Sequence, residues 1–101
     1  MSPMLADDAA GSVTITDGAL AQLVGSAVSS VDGARLRKGR RRLGLEIDGG
    51  HARAELELAV AYGSVLPEVA RAVQERVAEA LHEMCGLVVD GVDVTVEELD
   101  A

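Results

Sequence analysis

An alternation of apolar and polar residues between positions 52 and 62 constrains the fold of this chain more than any other feature. The apolar residues of one parity and the charged residues of the other are Ala52, Ala54, Leu56, Leu58, Val60 and Tyr62 against Arg53, Glu55 and Glu57. Successive side chains of a β-strand point to opposite faces, so the pattern predicts a strand with one buried and one wet face. Tyr62 has the apolar parity and is therefore expected in the core.

Three other segments have strand character. Residues 43–48 alternate in the same way, and DGGH at 48–51 supplies the glycines that a tight hairpin needs for positive φ. Valines alternate with polar residues over 92–97, and VTIT at 13–16 is either a short strand or an extended lead-in to a helix. We therefore expect a hairpin, one later strand and an optional first strand.

Two segments have the three- and four-residue apolar spacing of an amphipathic helix. The first covers 20–31, and Gly33 follows it in the position of a C-terminal stop. The second comes after the alternating strand, where Ser64 is a candidate cap and Pro67 is tolerated in the first turn. Gly86 is expected to end this helix. Its buried stripe is expected at Val69, Val73, Val77, Leu81 and Met84.

The order of these elements is βαββαβ, or αββαβ if residues 13–16 are only a lead-in. It predicts an α+β two-layer sandwich, with two helices packed on one face of a small three- to four-stranded, mostly antiparallel sheet. A ferredoxin-like layout is the default arrangement for this order. Residues 1–11 are small, acidic and aperiodic, so we expect a disordered N-terminal tail followed by a single domain at 12–99.

The core must be almost entirely aliphatic, because Tyr62 is the only aromatic residue among 101. A domain of this size buries only about two-thirds of the surface that its unfolded chain exposes. Thin cores of this kind are often supplemented by self-association, which favours a homo-oligomer.

The charge of the chain is strongly divided. Its formal net charge is −8, yet six of its nine basic residues fall within eight positions: Arg35, Arg37, Lys38, Arg40, Arg41 and Arg42. We call residues 35–42 the basic segment. It either protects a sheet edge from pairing or docks to anionic lipid headgroups or an acidic partner. The alternative is a small regulatory or nucleic-acid-binding module that uses this segment, although the acidic body and the lack of stacking aromatics disfavour nucleic acid.

No constellation of catalytic or metal-binding residues stands out. Glu79 and His82 have the spacing of a di-iron carboxylate motif, but such sites draw ligands from four helices and this chain has one copy. Cys85, the only cysteine, is predicted at a helix C-terminus, where the helix dipole opposes a thiolate. We therefore expect no enzyme activity, no cofactor and no metal. No apolar run approaches the roughly 20 residues of a membrane span.

The chain resembles the alkaline shock protein family of bacterial envelope stress response proteins. The resemblance covers about residues 13–97 and is carried by VTIT, by LELAVAYGSVLPEVARAVQERV, by the glycine after the second helix and by VDGVDVTV. It singles out Tyr62, Gly63 and Gly86 as structural signature residues. It implies a non-catalytic cytoplasmic scaffold of the envelope stress response, which self-assembles and is held at the inner face of the membrane by a small integral-membrane partner.

Overall fold

The computed structural model describes residues 4–8, 11–37 and 43–100, with side chains at 15–37 and 43–96. In chain order the elements are β1 Met4–Asp8, β2 Gly11–Ile15, α1 Asp17–Ser29, β3 Ala34–Leu36, β4 Leu43–Asp48, β5 His51–Ala61, α2 Leu66–Cys85 and β6 Val88–Asp100. Two helices contact a four-stranded, mostly antiparallel sheet, which confirms the predicted α+β class.

The strand β5 lies at the centre of the four-stranded sheet. β4 pairs antiparallel with its first half, and β3 pairs antiparallel with its second half. β6 pairs parallel along the whole of β5, with register shifts at two points. Four strands therefore occupy three positions, because β3 and β4 share one edge of the sheet.

The predicted hairpin between β4 and β5 is confirmed. Asp48 pairs with His51, so only Gly49 and Gly50 form the turn. Their φ angles are 56° and 82°, a region that glycine enters without the steric penalty of a Cβ atom. Two consecutive glycines therefore determine the register in which β4 and β5 pair.

The N-terminal residues form a hairpin of their own. β1 pairs antiparallel with β2 in a two-stranded sheet that is separate from the four-stranded sheet. Met4–Asp8 is thus a strand where the sequence predicts a disordered tail, and VTIT contributes to β2. The two helices and the larger sheet follow the order αβββαβ, so β3 is a strand that neither predicted order contains. β6 lies beside β5, in the position where a ferredoxin-like layout would place the first strand. The division into residues 1–11 and 12–99 stays a prediction.

The helix ends follow the sequence only in part. The Thr16 hydroxyl oxygen accepts a hydrogen bond from the Ala19 amide at 3.2 Å and caps α1. α1 ends at Ser29, so the prediction that Gly33 is its stop is wrong. Gly33 instead turns the chain into β3 with a φ of 81°, and its carbonyl accepts a hydrogen bond from Ala61 at 2.7 Å.

The start of α2 differs from its prediction, and its end agrees with it. The residue before the first turn is Val65, which makes no side-chain cap hydrogen bond, so Ser64 is not the cap. Gly86 has a φ of 68° and donates its amide to His82, and the Leu87 amide reaches the Leu81 carbonyl at 3.3 Å. This is the predicted glycine stop, and Leu87 is buried as a result.

The core lies between the helices and β5 and is aliphatic. No described buried residue is polar or charged. The innermost residues of the two helices are Leu20, Val24 and Val28 of α1 and Val73, Val77 and Leu81 of α2, all with 0% exposure. They pack with the even-numbered residues 52–60 of β5, as the alternation predicts.

Two residues that the sequence predicts in the core are exposed instead. Tyr62 is 76% exposed, because β5 ends at Ala61 and the strand parity no longer applies in the turn. Met84 is 70% exposed, because the last core contact of α2 is made by Cys85, four residues after Leu81. Both errors arise where a regular element stops.

Candidate functional site

The described residues on either side of positions 38–42 lie on one edge of the sheet. The Arg37 amide donates to the Glu57 carbonyl at 2.9 Å, and Leu43 pairs with Leu56. Glu57 and Leu56 are consecutive in β5, so the described residues on either side of 38–42 meet at adjacent positions of the same edge. β3 and β4 are therefore two halves of one edge, separated by five residues of which four are basic.

Two of the six candidate docking residues are described. Arg35 is exposed on β3, opposite Ala59 of β5. Arg37 follows β3, and its guanidinium Nη1 lies 3.4 Å from Glu57 Oε2. Both side chains of this pair are about one-third exposed, so water screens the attraction and the ion pair stabilises the fold only weakly.

The other four candidate docking residues lie outside the described residues. They are Lys38, Arg40, Arg41 and Arg42. The described residues that flank them in sequence, Arg37 and Leu43, both pair with β5.

The open face of the sheet beside this edge is acidic. A shallow groove of about 480 Å³ is lined by Leu43, Gly44, Glu55, Leu56, Glu57, Asp93 and Thr95. Arg53 lies 3.2 Å from Asp93 at one side of the groove. Three carboxylates and no aromatic ring line it, so the sheet offers neither a stacking surface nor a positive field for nucleic acid.

Glu79 and His82, which have the spacing of metal ligands on α2, are explained by the local structure. Glu79 and His82 are both exposed, and His82 Nδ1 lies 3.1 Å from the Leu87 carbonyl oxygen. A carbonyl can only accept, so Nδ1 carries a proton and ties the chain after α2 to its last turn. In the described part of the chain, no group of three or more His, Cys, Asp or Glu residues could hold a metal ion.

Cys85 lies half-buried against the core at the end of α2. Burial raises the pKa of its thiol, because the desolvated thiolate is disfavoured. A nucleophilic cysteine requires the opposite shift. The geometry therefore indicates that Cys85 is a small residue that packs against the core.

The three signature residues lie at the two ends of α2. Gly63 has a φ of 94°, and Gly86 has the left-handed conformation already described. A Cβ atom on either glycine would meet nothing within 4 Å, so these positions require glycine for its backbone freedom. The side chain of Tyr62 is exposed, so the fold does not require a particular residue type at this position.

Comparison with known families agrees with these features. The model of the alkaline shock protein 23 family, described as having a cell envelope-related function, matches residues 6–101. The chain belongs to the alkaline shock protein 23 family. The match starts within β1, so it includes most of the N-terminal hairpin as well as the αβββαβ part. No curated protein shows a significant match to the chain.

Solved structures resemble the family member in fold. A copper form of the MamM CTD is 19% identical, with a TM-score of 0.55 over 82% of this chain and 98% of that chain. A cadmium form is 21% identical, with a TM-score of 0.54 over 80% and 94%. At this identity the likeness concerns the fold alone.

Sequence reasoning missed two features of the surface. It did not find that Arg37 and Leu43 lie at adjacent positions of one edge, because no local pattern shows that β3 and β4 pair with the same strand. It also missed the exposed apolar residues at the ends of α2, because the apolar period of the sequence continues past the last residues that pack against the core.

In the described part of the chain, no helix is long and apolar enough to cross a membrane.

Proposed function

We propose that this alkaline shock protein 23 family member is a non-catalytic interaction protein of the bacterial envelope stress response. It acts in the cytoplasm by self-association and by docking to a membrane-linked partner, or to the anionic surface of the membrane itself. The docking residues are Arg35, Arg37, Lys38, Arg40, Arg41 and Arg42. The observation that supports the proposal is that Arg37 and Leu43, which flank the most basic run of the sequence, both lie on one sheet edge, in a family with a cell envelope-related function.

Edge protection does not require this concentration of charge. A strand edge templates pairing only where its backbone groups form a continuous row. β3 has only three residues and β4 only six, so each row of backbone groups on this edge is short without any added charge. Four cations in five positions are therefore better explained by attraction to an anionic surface.

The rest of the molecule limits where that attraction acts. The chain carries 17 acidic and 9 basic residues, so its long-range field is negative. At physiological ionic strength charges are screened over about 8 Å, so the basic segment is felt only by a surface that comes close. Each of its cations contributes on the order of 1 kcal/mol at an anionic membrane surface.

A nucleic-acid partner fits the structure less well. The sheet face next to the basic segment carries Glu55, Glu57 and Asp93, which repel phosphate. Single-stranded nucleic acid is usually gripped by stacked aromatic rings, and the chain has only one aromatic residue. We therefore propose a protein or lipid partner, and no cofactor or metal.

A localisation experiment with a matched control tests this proposal. Fluorescent fusions of the wild type, Arg41→Ser/Arg42→Ser and Arg71→Ser/Arg76→Ser would be compared in the native cell. Both variants lose two positive charges, but Arg71 and Arg76 lie on the exposed face of α2. We expect only the first variant to leave the cell envelope. Equal localisation of all three proteins would refute docking through the basic segment.

A further inference from the structure

The two edges of the four-stranded sheet differ in the length of backbone that they expose. One edge is divided between β3 and β4, which have three and six residues. The other edge is β6, a strand of 13 residues that pairs, among the described strands, with β5 alone. The side of β6 that faces away from β5 therefore presents N–H and C=O groups that no described strand takes up.

The free edge of β6 has few of the features that block strand pairing. Edge strands are commonly blocked by proline, lysine, bulges or a covering element. The sequence of β6 contains no proline, lysine or arginine. Its two register shifts lie at either end of the run 91–96, which pairs regularly with 53–58 of β5. One described side chain of α2 reaches the backbone of this run, because Gln74 Nε2 donates to the Val92 carbonyl at 2.9 Å.

The outer side of this edge is acidic. Residues 88–100 include five acidic residues and no basic one, and Asp93 is exposed on the open face of the sheet. Glu55 lies beside Asp93 in the β5–β6 register and makes no ion pair with a described residue. Arg53, 3.2 Å from Asp93, offsets only one of these charges. A strand that pairs with β6 is therefore favoured if it places cations on this face.

The inner side of the same edge is apolar and incompletely covered. Val94 and Val96 have the inward parity, yet both are only half-buried against the core. Their neighbours in the middle of the sheet, Leu56 and Leu58, are 2% and 0% exposed. The difference arises because β5 has a strand on each side and β6 has one on a single side. Apolar side chains of an added strand would complete the cover of both valines.

We propose that β6 is a docking site for an extended segment of a partner protein, which adds as a strand to the free edge and alternates apolar with basic side chains. Its apolar side chains pack beside Val94 and Val96, and its basic side chains lie over Asp93 and Glu55. Main-chain hydrogen bonds supply affinity in this mode of recognition, and the alternating side chains supply selectivity. The site is separate from the edge formed by β3 and β4, which lies on the other side of β5.

The charge and sequence of the chain disfavour a second copy as the occupant. Two β6 strands side by side would bring carboxylates together, in copies that each have a net charge of −8. The basic segment of a second copy lacks the apolar alternation, because positions 37–42 contain only basic residues and one glycine. A partner segment of mixed apolar and basic composition satisfies both sides of the edge.

Titration of the wild-type protein with synthetic peptides tests the site. The probe is a peptide of about eight residues that alternates valine and lysine and has blocked ends. One control replaces every lysine by glutamate, and another replaces one central valine by proline, which removes a main-chain donor but no charge. We expect the first peptide to bind and to slow hydrogen exchange of amides in 91–96. The glutamate peptide should not bind, and the proline peptide should bind at least about tenfold more weakly.

A pair of charge-matched variants locates the binding on the protein. Glu55→Ser/Asp93→Ser should bind the valine–lysine peptide about fivefold more weakly, and Glu75→Ser/Glu79→Ser, on the exposed face of α2, should bind it like the wild type. All four residues are exposed, so both variants should keep the wild-type melting temperature.

Three results would overturn the proposal. The first is a wild type that does not bind the valine–lysine peptide, or binds the proline peptide equally well. The second is peptide binding that leaves exchange in β6 unchanged. The third is protection of β6 that grows with protein concentration in the absence of peptide, since this would assign the edge to a second copy.

Discussion

The inner stripe of α2 consists of aliphatic residues and the basic segment consists mostly of cations, and the two contribute to the protein in opposite ways. Val73, Val77 and Leu81 are fully buried and stabilise the fold by leaving water. We propose that the cations of the basic segment act on a partner through a screened field. Substitutions in the stripe should therefore change stability, and substitutions in the segment should change binding alone.

The largest effect on stability is expected from Val73→Asp. This change places a carboxylate among aliphatic side chains with no described polar partner in the core, which costs several kcal/mol. A domain of this size is stable by only about 5–15 kcal/mol, so the variant should be largely unfolded by circular dichroism. Arg71→Asp, on the exposed face of the same helix, is the control and should melt close to the wild type.

A smaller effect is expected from Glu79→Ala/His82→Ala. Both residues are exposed, and the only described interaction lost is the hydrogen bond from His82 to the Leu87 carbonyl. Its loss should lower the free energy of unfolding by about 1 kcal/mol or less. Elemental analysis should find the same metal content in both proteins. Stoichiometric iron or zinc in the wild type that disappears in the variant would contradict the structural role of His82.

The smallest effect is a pH dependence that arises from Cys85. Burial raises the pKa of its thiol above that of the unfolded chain, so the fold favours the protonated form. This contribution to stability is complete below the unfolded pKa and is lost as the pH rises through the folded pKa. Iodoacetamide at mildly alkaline pH should therefore modify the folded protein more slowly than the protein in urea. Equal rates would place Cys85 in water.

The interior of the fold was predictable from sequence because its signals are local. The alternation in β5 and the apolar period of α2 each indicate one face of one element. The structure buries the even-numbered residues 52–60 of β5 and Val73, Val77 and Leu81 of α2, as predicted. The turns at Gly49, Gly50 and Gly86 were predictable for the same reason, because glycine tolerates a positive φ whatever surrounds it.

Element ends and strand order were not predictable in the same way. Tyr62 and Met84 continue the apolar period of their elements, but burial there depends on which other element lies opposite. The placement of β6 beside β5, and of β3 and β4 on one edge, depends on long-range pairing that no local pattern encodes. The basic segment was therefore recognised from composition alone, and the structure adds that its neighbours Arg37 and Leu43 lie on one sheet edge.

The salt dependence of vesicle binding tests the central claim most directly. Binding of the wild type, Arg41→Ser/Arg42→Ser and Arg71→Ser/Arg76→Ser would be measured on anionic and neutral vesicles, on a purified acidic protein and on single-stranded RNA, at low and physiological salt. The account predicts that the first variant binds anionic vesicles or the acidic protein at least about tenfold more weakly, while the second binds like the wild type. Added salt should weaken the wild-type binding. Tight RNA binding at physiological salt that is lost in the first variant, or no difference among the three proteins on any ligand, would contradict the account.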